Sequence, residues 1–202
     1  MLLDVGAGKG EFLAQARDKG WKVEGIDPSP SFRRHARDQY GIECHAGHLG
    51  DSASLPEHAF DVITLNHVLE HVEWPRGLLE AIRRYLKEDG VLFIEVPNCD
   101  SYFLRAADLY FRMKGLAWSS RLSPFHPPFH RFGFTRRSLM YVLERSGFRV
   151  LRMATFSGRD RGYRQKQSRW HPEVLLRELA TASLQVLGNR ELLAVVATPV
   201  RS

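Results

Sequence analysis

A short, mostly apolar stretch, Leu2-Leu-Asp-Val5, runs straight into Gly6-Ala-Gly-Lys-Gly10 and then into Glu11-Phe-Leu-Ala-Gln-Ala-Arg17. The first stretch suits a buried strand, and Phe12, Leu13 and Ala16 give the last one the apolar face of a helix. Glycines at alternate positions let the chain reverse tightly and let backbone N–H groups face a ligand that a Cβ would exclude. A strand that passes through such a turn into a helix is the opening unit of a layered α/β sheet.

The dinucleotide fingerprint is the nearest competing pattern, and it needs a third glycine two residues beyond its central pair. Here Gly10 arrives after one residue and Glu11 stands in the fingerprint's place, where a carboxylate would repel a pyrophosphate. Asp4, just before the turn, suits an ammonium group, so the loop fits a zwitterionic nucleoside better. The competing explanation is steric, since turns are glycine-rich in any case. Further along, Trp21-Lys-Val-Glu-Gly-Ile-Asp27 reads as a second strand ending in an acid, and Pro28-Ser29 starts another helix with Phe32, Ala36 and Tyr40 on one face. An acid at that tip can accept from both hydroxyls of a ribose, each bond to a charged group contributing about 1.5–3 kcal/mol. Alternatively Asp27 only caps the helix, a task Ser29 could perform unaided.

With these features the chain resembles the class I S-adenosylmethionine-dependent methyltransferases, in particular the small-molecule group that includes the ubiquinone-biosynthesis O-methyltransferases and sugar and natural-product methyltransferases. The resemblance covers essentially the whole chain. It rests on Leu2 to Gly10, on Gly25-Ile-Asp-Pro-Ser29, on Phe60-Asp-Val-Ile-Thr-Leu-Asn-His-Val-Leu-Glu-His-Val72 and on Gly90-Val-Leu-Phe-Ile-Glu-Val-Pro-Asn98. His130-Arg-Phe-Gly-Phe-Thr135 and Ser146-Gly-Phe148 are also similar. It implies S-adenosyl-L-methionine as cofactor and S-adenosyl-L-homocysteine as product. It further implies a Rossmann-like, seven-stranded, mostly parallel sheet with helices on both faces, last strand antiparallel, in the order 3-2-1-4-5-7-6.

The periodicity agrees with alternating strands and helices. Strands are expected at 2–5, 22–26, 42–45, 61–65, 90–96, 148–156 and 191–198. Helices are expected at 10–19, 30–39, 67–72, 75–87, 101–116, 135–146 and 171–187. Phe60 to Leu65 and Val91 to Val96 are nearly continuous apolar runs, as central parallel strands require. The expected organisation is a single domain over 1–202, with 97–135 as a substrate-side insertion or lid containing Pro124, Pro127 and Pro128. Relatives usually carry helices ahead of the first strand, so the expectation here is either a missing segment, one that could read the substrate, or an open site.

At 202 residues and 44% apolar content the chain can bury a core unaided. No apolar run approaches a membrane span and no signal peptide is visible, so a cytoplasmic location is expected. Cys44 and Cys99 match no metal or redox spacing and read as buried free thiols. The net charge of +6 is uneven, with Arg159, Arg161, Arg164, Lys166 and Arg169 close together beside Tyr163 and Trp170. That stretch is either a phosphate contact or a solvated loop. Nucleic acid is not an expected partner, and the oligomeric state is left open.

Site residues follow from the same reading. In an open sheet of this type the ligand lies beyond the carboxyl ends of the strands at the topological switch point. Asp4, Gly6, Ala7, Gly8, Gly10, Asp27, Pro28, Asn66 and His67 are therefore the expected cofactor contacts. His71, His67 and His130 are the candidate catalytic residues, with no residue assigned to a metal. On a helix His67 and His71 would share a face, with Glu70 pointing about a quarter turn away. Three readings stay open for them: a general base, a metal pair with Glu70 or Glu95, or structural hydrogen bonding. His130 is a second possible base or a loop anchor beside Phe132 and Phe134, and His126 is a weaker candidate. In relatives an acid after the third strand accepts from the adenine; here His48 stands there, with Asp51 close behind. The aromatic and basic segment from Tyr102 to Trp118 could line a pocket for an apolar or anionic acceptor, or simply form core.

The expected function is methyl transfer to a small molecule, at oxygen. Alternatives are carbon or nitrogen methylation of a sugar, lipid or polyketide, a non-catalytic cofactor-binding subunit, or nucleic-acid binding.

Overall fold

The computed structural model describes residues 1–50, 55–116, 130–157 and 189–200. The expected helix at 171–187, the prolines at 124, 127 and 128, His126, Asp51, Trp118 and the basic stretch 159–169 with Trp170 lie outside the described residues. Seven strands form one sheet in the order β3-β2-β1-β4-β5-β7-β6. They are β1 (Leu2–Val5), β2 (Val23–Asp27), β3 (Cys44–Ala46), β4 (Phe60–Asn66), β5 (Leu86–Pro97), β6 (Phe148–Phe156) and β7 (Leu192–Pro199). The first five pair in parallel, while β7 runs antiparallel to both β5 and β6, as expected. Five helices are described: α1 (Glu11–Asp18), α2 (Pro30–Tyr40), α3 (Pro75–Tyr85), α4 (Tyr102–Met113) and α5 (Arg136–Arg145).

Register explains why the chemistry gathers at one end. Val5 pairs with Ile26 on one side and Leu65 on the other. The next residues, Gly6, Asp27 and Asn66, therefore emerge together where the strands end, with β1 and β4 flanking the switch point. Beneath them Leu3, Ile63, Leu65, Leu92 and Ile94 are fully buried, so the centre of the sheet is covered on both faces. Helix α3 contributes Leu79, Ile82 and Tyr85 to that core at helical spacing.

The glycine turn is dictated by sterics as much as by any ligand. Gly10 is the N-cap of α1 at φ 84, where side chains are rarely tolerated, and a Cβ there would lie 2.8 Å from that of Ala36. Helices α1 and α2 thus approach each other over a position only glycine can fill. Ala7 is buried beside Leu13 and Ala14 in the same small cluster.

Three expectations need correction. Residues 67–72 form a turn, not a helix, because His67 takes a left-handed φ of 55 and donates its N–H to the Glu95 carbonyl at 2.9 Å. Strand β5 starts at Leu86, not 90: Phe60 pairs with Leu86 and Val62 with Val91, so Lys87–Gly90 bulge out between two paired ends. Polar Lys-Glu-Asp-Gly reads as a turn, which hid this. Helix α4 stops at Met113, short of 116. Cys99 is buried and Cys44 half-buried, and the two are not joined in a disulfide.

Candidate active site

Beyond the strand ends lies a cavity of about 830 Å³, within the usual 300–1,000 Å³ of ligand sites. Gly6 and Gly8 from the turn, Asp27 and Pro28 from the tip of β2, and His67 and His71 from the β4–α3 turn lie on its wall. Gly8 has φ 56 and nothing within 4 Å of where a Cβ would stand, so the turn is open to the cavity at this point. Gly6 differs: at φ 75 its missing Cβ would lie 2.5 Å from Val68 Cγ2, so it is needed to seat the neighbouring turn.

Four of the loop's N–H groups bond within the protein. Gly6 and Ala7 donate to the Ile26 carbonyl, Gly10 donates to Ala7, and Gly8 donates to Asp27 Oδ2 at 2.8 Å. Asp27 Oδ1 accepts from Ser29 N–H at 2.8 Å, while the Ser29 hydroxyl caps α2 by accepting from Phe32 N–H. Asp27 therefore ties the glycine turn to the next helix and leaves the capping to Ser29. A carboxylate offers about four acceptor positions, so this one retains capacity for two more donors while facing the cavity.

Asp4 lies behind the wall. It is 2% exposed, and its Oδ1 accepts from Thr64 Oγ1 at 2.5 Å and Asn66 Nδ2 at 3.2 Å. Burial pushes its carboxyl up to about 6 despite these bonds. Asp4, Ala7, Gly10 and Asn66 do not line the cavity: the first and last brace each other beneath it, and the other two shape the turn.

The histidines divide into two kinds. His67 is gripped by two carboxylates that are each 1% exposed: Nδ1 lies 3.3 Å from Glu70 Oε1 and Nε2 lies 3.0 Å from Glu95 Oε1. These bonds, Glu70's first, raise it to about 9, so it is an imidazolium at neutral pH with both ring nitrogens committed. A group in that state cannot accept a proton, which separates His67 from the general-base reading. Glu70 does not point away from the histidines, as a helix would have it, but sits between them.

His71 and His130 form the second kind. Their rings pack at a tilt of 53° with centroids 4.9 Å apart, and His71 Nε2 lies 3.9 Å from Glu70 Oε1. A strap brings His130 there: the N–H groups of Arg131 and Phe132 both donate to the Glu70 carbonyl, at 2.8 and 3.1 Å. Phe134 extends it, accepting from Cys99 N–H at 2.9 Å. Desolvation pushes His130 below its ordinary value.

A family model for a methyltransferase domain matches residues 1–153. The chain belongs to that methyltransferase family. The ubiquinone biosynthesis O-methyltransferase of Glaesserella parasuis is 33% identical over 107 residues, which are 48% of this chain and 45% of that protein. The enzyme of the same name from Nitrosococcus oceani is 32% identical over 139 residues, 65% of this chain and 56% of that one. The chain thus spans about half the length of the curated relatives it matches. Among solved structures, a SAM-dependent methyltransferase from Archaeoglobus fulgidus superposes with a TM-score of 0.65 at 20% identity, covering 98% of this chain and 85% of that one. The sheet order is the one this methyltransferase class uses, and S-adenosyl-L-methionine is the family's cofactor.

In this member of the methyltransferase family the turn, the β2 acid and the His67–His71 segment meet at one cavity, which His48 also lines. Two contributors escape sequence reasoning, and a third, Glu70, enters it only as a possible metal partner of His67 and His71. Trp74, 67% exposed, stands over Gly77, where a Cβ would lie 2.3 Å from the indole. Arg131 lies on the wall and pairs with Glu73 at 2.9 Å. Glu70 is the buried centre of the histidine cluster. An aromatic before a proline was a usable signal for Trp74, but no local pattern links Glu70 to residue 130.

Among the described residues, no helix is long and apolar enough to cross a membrane.

Proposed function

We propose that this protein transfers a methyl group from S-adenosyl-L-methionine to an oxygen of a small-molecule acceptor. The observation that carries the reading is the buried Asp27 carboxylate, pinned to the glycine turn and the next helix yet facing a cavity that Gly8 leaves open. When bound, the cofactor supplies a methyl on a sulfonium that is already activated for transfer. Asp27 takes the two ribose hydroxyls, and Gly6, Gly8 and Pro28 give the nucleoside its close approach. Asp4 holds Asn66 in place beneath the amino-acid end, and His67, fixed by Glu70 and Glu95, forms the wall beside it. Holding acceptor, methyl carbon and sulfur in line can supply about 7–11 kcal/mol of the barrier.

Oxygen is proposed as the acceptor atom because the named relatives are O-methyltransferases and because the second histidine group offers a place for a hydroxyl proton to leave. His71 lies on the cavity wall beside Glu70 and His130, and this trio is where the hydroxyl is activated. Incubation with methyl-labelled cofactor and cell extract tests the reading. The expected result is label in a small molecule, in an alkali-stable methyl ether. Label in protein or nucleic acid, or no label with folded enzyme, contradicts it.

A further inference from the structure

Two residues on the cavity wall, Arg131 and Trp74, have no part in the methyl transfer described above. Among the described residues lining the cavity, Arg131 is the one arginine or lysine. Its main chain is fixed, because its N–H donates to the Glu70 carbonyl at 2.8 Å. Its Nη1 lies 2.9 Å from Glu73 Oε1, with the two side chains 55% and 79% exposed. An ion pair so open to water holds its partners weakly. A guanidinium carries five N–H donors in a planar fork, so the pair with Glu73 leaves most of them available.

Trp74 follows Glu73 directly and is the N-cap of α3, so the indole and the guanidinium belong to one edge of the cavity. The ring rests over Gly77 and is 67% exposed, which makes it a platform already in place. Val68, Val72 and Leu78 add apolar wall on the same side. A large exposed indole beside an apolar wall suits the apolar body of a ligand. The charge at this edge points to the ligand's other part. One cation, partly offset by Glu73, matches a single negative charge, and its planar fork matches the two oxygens of a carboxylate. His67 does not compete for that anion, since both its ring nitrogens are committed to Glu70 and Glu95.

We infer that Arg131 is a specificity-determining residue that binds a carboxylate on the methyl acceptor, while Trp74 covers the acceptor's apolar body. The inference deepens the proposed methyl transfer and rests on it. His130 immediately precedes Arg131 and packs its ring against His71, so the cation stands beside the pair proposed to activate the hydroxyl. An acceptor without the carboxylate leaves Arg131 with Glu73 and gains nothing from it. Discrimination therefore acts on acceptor binding, and it is read in KM more than in kcat.

The test uses the small molecules of a cell extract, separated on an anion exchanger at neutral pH into neutral and acidic fractions. Each fraction is offered to the protein with methyl-labelled S-adenosyl-L-methionine. Label is expected in the acidic fraction, and esterifying that fraction in acidic methanol should abolish its acceptor activity, whereas phosphatase treatment should not. In a dilution series of the acidic fraction, Arg131→Gln should raise the half-saturation point about tenfold or more. Arg131→Lys should restore part of the loss, and Glu73→Gln, which frees the guanidinium, should lower the point below that of the wild type. These substitutions keep the backbone bonds of the strap, and S-adenosyl-L-homocysteine affinity, measured by calorimetry, reads folding and the cofactor site in each. Label confined to the neutral fraction, equal half-saturation in Arg131→Gln and wild type, or sensitivity to phosphatase instead of esterification overturns the inference and leaves methyl transfer standing. Label in neither fraction contradicts methyl transfer itself, and the inference falls with it.

Discussion

The two ends of the cavity, the one proposed for the nucleoside and the one proposed for the acceptor, are held by different means. At the nucleoside end, Gly6, Gly8 and Gly10 adopt left-handed φ values and β1, β2 and β4 end in register, so the backbone sets the geometry. At the acceptor end the backbone of residues 67–71 is irregular, and buried side chains, Glu70 and Glu95 around His67, impose its shape. Backbone-built geometry is written in local sequence and tolerates no Cβ. Geometry built from side chains depends on partners far along the chain.

Substituting the glycines breaks this contrast most severely. Gly10→Ala should destabilise the fold by about 2–5 kcal/mol, from left-handed strain plus the overlap with Ala36, read as a lowered denaturant midpoint. Gly8→Ala meets nothing within 4 Å, so only the strain of about 1–2 kcal/mol remains while cofactor affinity falls. Equal stability loss at the two positions would show that packing does not distinguish them.

Asp4 gives the next largest effect, and it depends on pH. Its folded value near 6 lies above the ordinary 3.8, so between about pH 4 and 6 the folded state holds a proton that the unfolded chain has lost. Stability therefore falls as pH rises through that window, by at most about 3 kcal/mol, and levels off above it. Asp4→Asn should abolish the slope, and denaturant curves from pH 4 to 7 check it.

Much of the nucleoside end was legible because its signals are local. The apolar runs at Leu2–Val5, Phe60–Leu65 and Val91–Val96 identify central strands, and the acid at Asp27 follows directly from the β2 boundary. The acceptor end was not. Val68, Leu69, Glu70 and His71 carry a helical pattern, but two buried carboxylates and the Glu95 carbonyl hold His67 in a left-handed turn, and tertiary bonding overrides propensity. Likewise Lys87–Gly90 reads as a turn because its polar residues bulge from a strand whose ends are paired. The strap at residues 130–134 finds Glu70 only in the folded chain.

The smallest expected effect lies away from both ends. Arg76 and Glu80 pair at 2.7 Å on the outer face of α3, with about half of each side chain exposed. Arg76→Ala should change stability by no more than about 0.5 kcal/mol and leave cofactor binding alone. A larger change, seen in thermal melts or calorimetry, would mean that α3 couples to the cavity more tightly than its packing implies.

The central claim is that the β2 acid grips the ribose of an adenosyl cofactor. Calorimetry of S-adenosyl-L-homocysteine binding to wild type and Asp27→Ala tests it most directly. The account predicts one site per chain in the wild type and affinity reduced tenfold or more in the variant, a loss of about 1.4 kcal/mol or greater. Equal affinity in the two proteins, or no binding to folded wild type, would contradict it.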